Sequence, residues 1–504
     1  MLPISEQVKR VVEQKFGGRK ILVAGDLMLD AYLWGDVSRI SPEAPVPVLK
    51  LNRRSATPGG SGNVLQNLVG LGLQATAAGF IGDDEGGRTL IRLLTAAGVS
   101  TSAVVTLNHR PTTTKTRVVS GHHQLVRIDD EGSGALPQGD IDRLILAIRK
   151  ELDSHVDAII LSDYAKGVLN DEICRWAIQE ARGRGIPVFV DPKGRTFEKY
   201  RGATALTPNL KEFEIATGLD HHPEAEAFTS AVNAFRETYQ LDYMVVTCGD
   251  RGIKYTDGES LFHHPAVARQ VFDVSGAGDT VIAALTAGVA AGLGFDDAIH
   301  LANLAAGVVV GKVGTTPIQL HELIAAIRES DHLDRAKNVF QAADLARQVA
   351  AWKEQGDRVV FTNGCFDLLH VGHVTLLARA RQLGTRLVVG INTDRSVRAL
   401  KGPTRPVVNE LDRAVVLAGL TSVDAVVHFD EDTPLELIAL LRPDIIVKGG
   451  DYHEDDVVGG DLVKSWGGRV AIIPLVDGKS TTSMISRSQA KAAIDGDGAS
   501  FQAT

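Results

Sequence analysis

An octapeptide near the middle of the chain, Asp273 to Thr280, has the residue types that phosphoryl transfer needs. Gly276, Ala277 and Gly278 carry little or no side chain, so their backbone N–H groups can approach an anion where a helix dipole favours negative charge. Asp279 follows, and a carboxylate there could take the proton of an attacking hydroxyl. The octapeptide predicts an anion hole with Asp279 as catalytic base. The alternative is a glycine-rich helix start with an acidic cap.

A second group of reactive side chains lies in the C-terminal third, where an apolar run continues into CFDLLHVGH. His370 and His373 are three residues apart at the start of a helical pattern, so both imidazoles could reach one phosphate. A metal site is the alternative, but the pair lacks a third ligand at the usual spacing. We therefore predict a pair of phosphate-binding histidines.

Residues suited to hold a sugar come early in the chain. Asp26 ends a short apolar run, and the stretch PGGSGN at 58–63 opens a helical pattern. The backbone of Gly59 and Gly60 and the amide of Asn63 could meet the hydroxyl groups of a polyol. A plain glycine-rich loop is the alternative.

Three cations follow in the stretch 103–130, which also has the pattern of strands. Lys115, Arg117 and Arg127 could clamp an anionic group on the substrate. Solvated charges on a strand face are an equally good interpretation.

An amide and an acid follow a later apolar strand. Asn209 and Glu212 lie three residues apart at a helix start, so both could face one Mg²⁺ or its waters beside a triphosphate. The same pair is typical of an N-cap with a first-turn acid. Thr247 and Gly249, in the turn TCGDRG, could cradle a nucleotide phosphate or simply link two strands.

The composition limits the classes of protein to consider. A length of 504 residues exceeds one hydrophobic core, and 44% hydrophobic residues with 51 glycines indicate a soluble α/β protein. A net charge of −9 without a basic run argues against nucleic acid as a partner. The three widely spaced cysteines indicate neither a disulfide framework nor a zinc site. Neither a signal peptide nor a membrane span is expected, so we predict a cytoplasmic protein.

Strand and helix patterns must position these residues. From 157 onward, apolar runs that end in acids or amides alternate with helices, which is typical of parallel strands whose carboxyl ends bind ligands. The proline-rich stretch 31–51 predicts edge strands of a small lid sheet, and 103–130 predicts further lid strands. We expect a first domain at 1–318, a helical linker without strands at 319–356, and a second α/β domain at 357–504.

The early PGGSGN and the late DVSGAGD together resemble the two signatures of the ribokinase-like (PfkB) carbohydrate kinases, over roughly residues 15–318. Val274 stands where that family usually has threonine, but the glycines and the final aspartate are intact. The resemblance implies a ribokinase-like α/β fold with a small β lid, ATP as phosphate donor and Asp279 as base. It also assigns Asn209 and Glu212 to a magnesium motif. Asp26, Gly60 and Asn63 are assigned to contacts with the sugar.

GCFDLLHVGH at 364–373 and STTSMI at 480–485 resemble the cytidylyltransferase-like nucleotidyltransferases, although Lys479 stands where isoleucine is frequent. The resemblance implies a Rossmann-like α/β domain in which the two histidines stabilise a transferring α-phosphate. A phosphate oxygen would attack in line and release pyrophosphate. By residue type alone, the hydroxyls at 480–482 are equally suited to cap a helix. The residues assigned to the nucleotide are Gly364, Phe366, Asp367, Asp394, Lys401, Arg405, Lys448, Ser480, Thr481 and Thr482.

The order of the two units resembles the bifunctional heptose 7-phosphate kinase and heptose 1-phosphate adenylyltransferase enzymes of bacterial lipopolysaccharide-core biosynthesis. This resemblance implies sugar phosphates and ATP as the small-molecule partners. Another carbohydrate kinase fused to a cytidylyltransferase is one alternative, and a non-catalytic sugar-sensing protein is the other. The apolar, proline-rich lid strands predict a homodimer that forms through the kinase lid.

Overall fold

A computed structural model describes residues 4–121, 123–219, 225–267, 271–312, 314–335, 338–450 and 453–474. Within these ranges the chain divides after residue 328 into two compact units. None of the described helices combines the length and the apolar character that crossing a membrane requires.

The first unit alternates strands and helices, as its sequence predicts. Its strands are β1 (Lys20–Gly25), β2 (Leu27–Ile40), β3 (Pro47–Gly60), β4 (Gln74–Gly82), β5 (Ser100–Leu107), β6 (Thr114–Ser120), β7 (His123–Asp130), β8 (Ala158–Ser162), β9 (Val188–Asp191), β10 (Ala205–Leu206), β11 (Tyr243–Thr247), β12 (Ile253–Thr256) and β13 (Leu261–His264). Its helices are α1 (Ile4–Lys15), α2 (Ser61–Gly70), α3 (Glu85–Ala96), α4 (Gln138–Asp153), α5 (Asp171–Gly183), α6 (Leu210–Thr217), α7 (Ala225–Thr238), α8 (Ala277–Ala290), α9 (Phe295–Val309) and α10 (Leu320–Arg335), the last of which crosses the division between units.

The main sheet of this unit, within the described residues, has the order β13-β12-β11-β10-β9-β8-β1-β4-β5. Its strands are parallel except where β12 and β13 add an antiparallel edge. From β1 the chain moves outward to β4 and β5, and from β8 it moves outward in the other direction. The carboxyl ends of the neighbouring strands β1 and β8 therefore form a topological switch point, where open α/β sheets bind ligands.

Both faces of the main sheet are covered, which explains why its central strands are apolar throughout. In β1, Ile21 and Val23 face one core, which includes α8 and α9, while Leu22 and Ala24 face a second core with α4 and α5. All four side chains are at most 1% exposed. Full burial of each larger one contributes about 1.5–3 kcal/mol.

A lid sheet lies beside the main sheet, with the order β3-β2-β6-β7 among the described strands. The prediction of edge strands for 31–51 is wrong for its first half, because β2 pairs on both sides; of the two strands in this stretch, β3 alone is an edge. The prediction that 103–130 forms lid strands is wrong for its start, since β5 pairs with β4 in the main sheet. Ala103, Val105 and Leu107 of β5 are buried in the second core of the main sheet, and the residues between them are not part of that core. The same alternating sequence pattern is expected for a lid strand and for an edge strand of the main sheet.

The second unit is a smaller α/β unit. Its strands are β14 (Val339–Phe340), β15 (Val359–Gly364), β16 (Arg386–Asn392), β17 (Ala425–Phe429), β18 (Ile445–Gly449) and β19 (Arg469–Ile473). Its helices are α11 (Ala342–Glu354), α12 (Val371–Arg381), α13 (Asp394–Lys401), α14 (Glu410–Ala418), α15 (Leu435–Leu441) and α16 (Gly460–Ser465).

Its described strands form one parallel sheet in the order β14-β17-β16-β15-β18-β19. The chain reverses direction across the sheet between β15 and β18, so their carboxyl ends form a second switch point. The expectation of no strand in 319–356 is wrong, because the two-residue strand β14 pairs with β17. The two helices of that stretch pack in different units. Leu323 of α10 is buried in the core of the first unit, whereas Leu345 of α11 is buried in the core of the second.

Candidate active sites

The octapeptide 273–280 forms a turn that leads into α8. Gly276 adopts φ of +80°, and a Cβ there would lie 2.6 Å from the Asn63 amide nitrogen, so only glycine fits without displacement. The N–H of Ala277 donates to the Val274 carbonyl at 3.2 Å. A phosphate that uses all three predicted amides would have to replace this turn hydrogen bond.

Asp279, the predicted base, lies in the first turn of α8 and is 8% exposed. One of its oxygens accepts from the Asn63 amide at 2.7 Å, and the other accepts from the Tyr164 hydroxyl at 2.5 Å. Burial raises the pKa of Asp279 to about 6, the two hydrogen bonds oppose the rise, and the charge of Asp30 adds to it. The carboxyl group therefore changes charge close to neutral pH, as suits a general base.

Tyr164 did not stand out in the sequence, although it follows β8 at the switch point. Its loop wraps around the Asp26 carboxylate, which accepts from the N–H groups of Tyr164 at 2.8 Å, Lys166 at 3.0 Å and Val168 at 3.1 Å. Asp26 is 1% exposed; burial raises its pKa, while these backbone bonds oppose the rise. Asp26 thus shapes the loop that presents Tyr164, and its contact with a sugar stays a prediction.

One cavity of about 180 Å³ brings several of the predicted kinase residues together. Its lining is Asp163, Tyr164, Asp191, Pro192, Lys193, Thr207, Asn209, Glu212, Thr247, Gly276, Gly278 and Asp279. The predicted base, two of the anion-hole residues and the predicted nucleotide residue Thr247 therefore share one space. Gly249, with φ of +61°, begins the turn after β11 and lies outside this lining.

Asn209 and Glu212 form a capping box at the start of α6. The Asn209 side chain accepts from the Glu212 N–H at 2.9 Å, and the Glu212 carboxylate accepts from the Asn209 N–H at 3.1 Å. The other Glu212 oxygen pairs with Lys193 at 2.5 Å. The capping alternative is therefore realised. Over the described ranges, no three His, Cys, Asp or Glu side chains are grouped to hold a metal ion.

Asp191 ends β9 in the same cavity and adds a further carboxyl group. Burial raises its pKa well above the usual range, the charges of Asp279 and Glu212 raise it further, and Lys193 opposes them. Oxygen ligands and crowded negative charge are the setting that Mg²⁺ prefers. This part of the cavity is thus suited to a divalent cation.

The glycine pair of PGGSGN permits a close approach between β2 and β3. A Cβ on Gly59 would lie 2.2 Å from a carboxylate oxygen of Asp30, and one on Gly60, where φ is +58°, would lie 2.6 Å from the Asp26 carbonyl oxygen. Asp30 was also missed in the sequence. Its signal is its place four residues after Asp26, in the strand that leaves the switch point.

The three predicted lid cations lie on neighbouring strands, and Arg117 stands directly opposite Arg127. Arg117 pairs with Asp30 at 2.5 Å, Lys115 lies 3.7 Å from Asp129, and Arg127 pairs with Asp129 at 2.8 Å. The structure therefore brings the predicted cations together, and it also gives each one a carboxylate partner.

The histidine pair of the second unit lies at the carboxyl end of β15. His370 caps α12, and its ring stacks on that of His373 with 3.9 Å between centroids. Burial, together with the nearby charges of His370 and Lys401, lowers the pKa of His373 to about 4. The imidazole of His373 is therefore neutral at pH 7, and an approaching phosphate would raise its pKa.

Two predicted nucleotide residues bind each other. The Asp367 carboxylate, 3% exposed, accepts from the Arg405 guanidinium and from the N–H groups of Val407 at 2.6 Å and Val408 at 3.1 Å. Burial opposes ionisation, but the hydrogen bonds prevail and lower the pKa of Asp367. Within the described residues, the Arg405 Nη2 has no hydrogen-bond partner, so one donor is left for an anion.

Arg413 of α14 is fully buried and was not singled out in the sequence. It donates to the carbonyls of Cys365 at 2.5 Å, Asn392 at 2.9 Å and Val408 at 3.0 Å, and to the Asp394 carboxylate at 2.7 Å. Four segments around the histidine pair are thus joined through one guanidinium, and the predicted nucleotide residue Asp394 is held by it.

Gly364, Phe366, Lys401 and Lys448 are the remaining predicted residues of this site that the structure describes. Lys448, at the end of β18, donates to Asn363 at 2.6 Å, and burial lowers its pKa. Phe366 is 6% exposed with φ of +45°, and its ring lies 3.1 Å from where a Cβ on Gly364 would be. Lys401 ends α13 and is exposed. The predicted hydroxyl donors lie outside the described residues: Ser480, Thr481 and Thr482.

Two family matches correspond to the two units. Residues 19–322 match the pfkB family of carbohydrate kinases, and residues 361–483 match the Cytidylyltransferase-like family. The predicted fusion of a kinase with a nucleotidyltransferase is therefore confirmed. Among solved structures, phosphofructokinase-2 from Escherichia coli in complex with potassium covers 62% of this chain and 98% of its own, with TM-score 0.52 and 20% identity. That likeness confirms the ribokinase-like fold alone.

Curated relatives extend over nearly the whole chain. Bifunctional protein HldE of Methylobacillus flagellatus is 54% identical over 93% of this chain and 96% of its own. Bifunctional protein HldE of Magnetococcus marinus is 51% identical over 95% of this chain and 99% of its own. The chain therefore belongs to the HldE family, as a bifunctional enzyme with a pfkB-type carbohydrate kinase unit and a cytidylyltransferase-like nucleotidyltransferase unit.

Proposed function

We infer that the chain makes ADP-heptose for the lipopolysaccharide core in two steps, one at each site. ATP phosphorylates D-glycero-β-D-manno-heptose 7-phosphate at O1, and ATP later transfers its adenylyl group to heptose 1-phosphate with release of pyrophosphate. A separate phosphatase removes the 7-phosphate between the steps. Membership of the HldE family over nearly the full length supports this pair of reactions.

The observation that carries the kinase step is the buried Asp279 at the N-terminus of α8. We propose that Asp279 takes the proton of the O1 hydroxyl while that oxygen attacks the γ-phosphorus of ATP. The bond from the γ-phosphorus to the β,γ-bridging oxygen breaks, and ADP leaves. The amides of Gly276 and Gly278 stabilise the developing charge, together with that of Ala277 once its turn hydrogen bond opens.

Mg²⁺ is the metal ion that we propose for the kinase site, with Asn209 and Glu212 reaching it through water. Their oxygens are engaged in the capping box and with Lys193, which favours contact through the hydration shell that Mg²⁺ keeps. The raised pKa of Asp191 supports a site that favours positive charge. When bound, the ion would neutralise charge on the ATP phosphates.

The sugar phosphate would lie between the glycine pair and the lid. We propose that Gly59, Gly60 and Asn63 contact the sugar ring, since Asn63 already holds the base at 2.7 Å. Binding of the 7-phosphate would be shared by the lid cations, which would exchange carboxylate partners for phosphate oxygens. These cations are Lys115, Arg117 and Arg127.

At the second site we propose that His370 and His373 donate to the α-phosphate of ATP. An oxygen of heptose 1-phosphate attacks the α-phosphorus in line, the bond to the α,β-bridging oxygen breaks, and pyrophosphate leaves. Lys401, Arg405 and Lys448 would hold phosphate oxygens. Further nucleotide contacts would come from Gly364, Phe366, Asp367, Asp394, Ser480, Thr481 and Thr482, and at the kinase site from Thr247 and Gly249.

We also propose a homodimer that forms through the kinase lid. Val126 and Ile128 lie two residues apart in the edge strand β7 and are 50% and 54% exposed, so an apolar edge is open to pairing. The use of ATP at both sites supports a cytoplasmic location.

A substrate screen tests the proposed function directly. Purified protein would be incubated with heptose, hexose and pentose phosphates and with ATP or CTP, and ADP and pyrophosphate would be followed separately. We expect ADP only with heptose 7-phosphate, and pyrophosphate only with heptose 1-phosphate and ATP. Asp279→Asn should abolish the first activity alone, and His373→Ala the second alone. Loss of both activities in either variant would contradict the two-site assignment.

A further inference from the structure

We propose that Tyr164 fixes the orientation and the charge of Asp279, which makes Tyr164 a positioning residue of the kinase reaction. The proposal deepens the proposed function and rests on its assignment of Asp279 as the base. Tyr164 comes from the loop after β8, and Asp279 from α8, 115 residues later. Neither the glycine motif nor the GAGD motif contains Tyr164.

The geometry holds the Asp279 carboxylate from two sides. Tyr164 donates to one oxygen at 2.5 Å, and Asn63 donates to the other at 2.7 Å. With both oxygens anchored, the carboxylate plane is fixed, and each oxygen keeps a lone pair for an incoming hydroxyl. A base that is held in this way needs no reorganisation when the sugar arrives.

The loop that presents Tyr164 is itself held in a costly conformation. Ala165 adopts φ of +56°, a left-handed conformation that is unfavourable for a residue with a Cβ. Two buried carboxylates keep it there: Asp163 accepts from the Ala165 N–H at 2.7 Å, and Asp26 accepts from three backbone N–H groups of the loop. Observed strain that is stabilised by its surroundings is typical of functional positions.

The hydrogen bond from Tyr164 also decides how easily Asp279 ionises. The charge of Asp30, which pairs with Arg117 in the lid, also acts on Asp279, and the carboxyl group of Asp191 at the end of β9 lies near enough for the charge of Asp279 to raise its pKa. Burial and the Asp30 charge disfavour the carboxylate, so the phenol and amide donors are what keep it ionised near neutral pH.

The Tyr164 hydroxyl stays protonated near neutral pH. Burial and the charge of Asp279 raise the pKa of Tyr164 well above its usual range. The phenol therefore donates throughout the pH range of the enzyme. Its contribution is a constant hydrogen bond to the base, and the O1 proton still goes to Asp279.

The test is the pH dependence of kinase kcat/KM for Tyr164→Phe. Loss of a hydrogen bond to a charged group should raise the pKa that governs the acidic limb of this pH profile by about 1–2 units, from about 6. Activity should then fall about 5- to 50-fold at pH 6 and differ by less than about twofold at pH 9. Replacement of Tyr164 by 3-fluorotyrosine, a more acidic donor of nearly the same shape, should move the limb downward.

Tyr255→Phe is the matched control. Tyr255 is buried in the same unit, and its hydroxyl donates to the Asp296 carboxylate at 2.8 Å, outside the cavity. We expect that variant to keep the acidic limb of the parent. ADP release at pH 9 by each full-length variant reports that its kinase unit is folded.

A second measurement separates this proposal from the base assignment. Aspartate labelled with ¹³C at the carboxyl carbon would be titrated by NMR, with the Asp279 signal identified from its loss in Asp279→Asn. Upward shifts of both the signal and the kinetic limb in Tyr164→Phe support the proposal. An unshifted signal overturns it. A shifted signal with an unshifted kinetic limb supports the role of Tyr164 and overturns Asp279 as the base.

Discussion

Replacement of Arg413 by methionine should destabilise the second unit more than any change on its surface. The Arg413 side chain is 0% exposed, and methionine would keep much of its volume while removing every donor. Three carbonyls and the Asp394 carboxylate would lose their partner, at about 1–3 kcal/mol for each buried group left unpaired. Asp394 is 21% exposed and can be rehydrated in part, so we expect a total of about 3–5 kcal/mol rather than the sum.

The assay is urea unfolding followed through pyrophosphate release, with ADP release from heptose 7-phosphate measured on the same samples. The urea midpoint for pyrophosphate release should fall in Arg413→Met, while the midpoint for ADP release should stay that of the parent. In native buffer, pyrophosphate release should also fall, because the carbonyl of Cys365 precedes the histidine turn and would no longer be anchored.

Arg395→Met is the control from the same unit. Arg395 is 65% exposed and pairs with Asp430, which is 52% exposed, so its loss should leave the urea midpoint close to that of the parent. If Arg413→Met lost less than about 1 kcal/mol, the hydrogen bonds from Arg413 would not be what holds these four segments together.

Three further predictions concern the other features. His373 has a pKa of about 4 in the folded chain and 6.5 in the unfolded chain, so protons bind the unfolded chain preferentially. The second unit should therefore lose stability as the pH falls from about 6.5 towards 4. In thermal scans, His373→Gln should flatten that pH dependence. Ile128→Lys should convert the proposed dimer to a monomer in sedimentation velocity, whereas Leu146→Lys, on α4, should not, although Leu146 is 67% exposed against 54% for Ile128. A monomeric parent would refute the proposed lid interface. Glu212→Gln should raise the Mg²⁺ concentration for half-maximal ADP release by roughly tenfold, and an unchanged requirement would remove Glu212 from the metal site.

Much of the fold was accessible from the sequence because parallel strands covered on both faces must be apolar without interruption. The parallel strands predicted from residue 157 onward are present as β8, β9, β10 and β11. The failures were strands whose pattern is not distinctive. The two residues of β14 are too few to show a period, and β5 has the alternation of a lid strand although it belongs to the main sheet.

Many of the residues predicted for the sites share one property, which is an unusual residue type at a loop or at the start of a helix. Glycines at Gly276 and Gly60 need positive φ, and Asp279 and the histidines carry groups that titrate or donate. Such residues can be recognised one at a time. The contacts between these residues could not be predicted in this way. The sequence did not indicate that Asp367 and Arg405 bind each other, or that Asn63 holds Asp279.

The residues that the sequence did not reveal are those that hold the predicted ones in place. Tyr164 lies 115 residues from Asp279, and Arg413 lies 48 residues from Cys365, so neither pair has a local spacing that a motif could contain. Both become predictable once the strand order is known, since Tyr164 and Arg413 act beside the carboxyl ends of strands at the two switch points. Strand order is thus the information that turns a set of reactive residue types into a site, and ordinary residues next to a switch point are where further positioning residues should be sought.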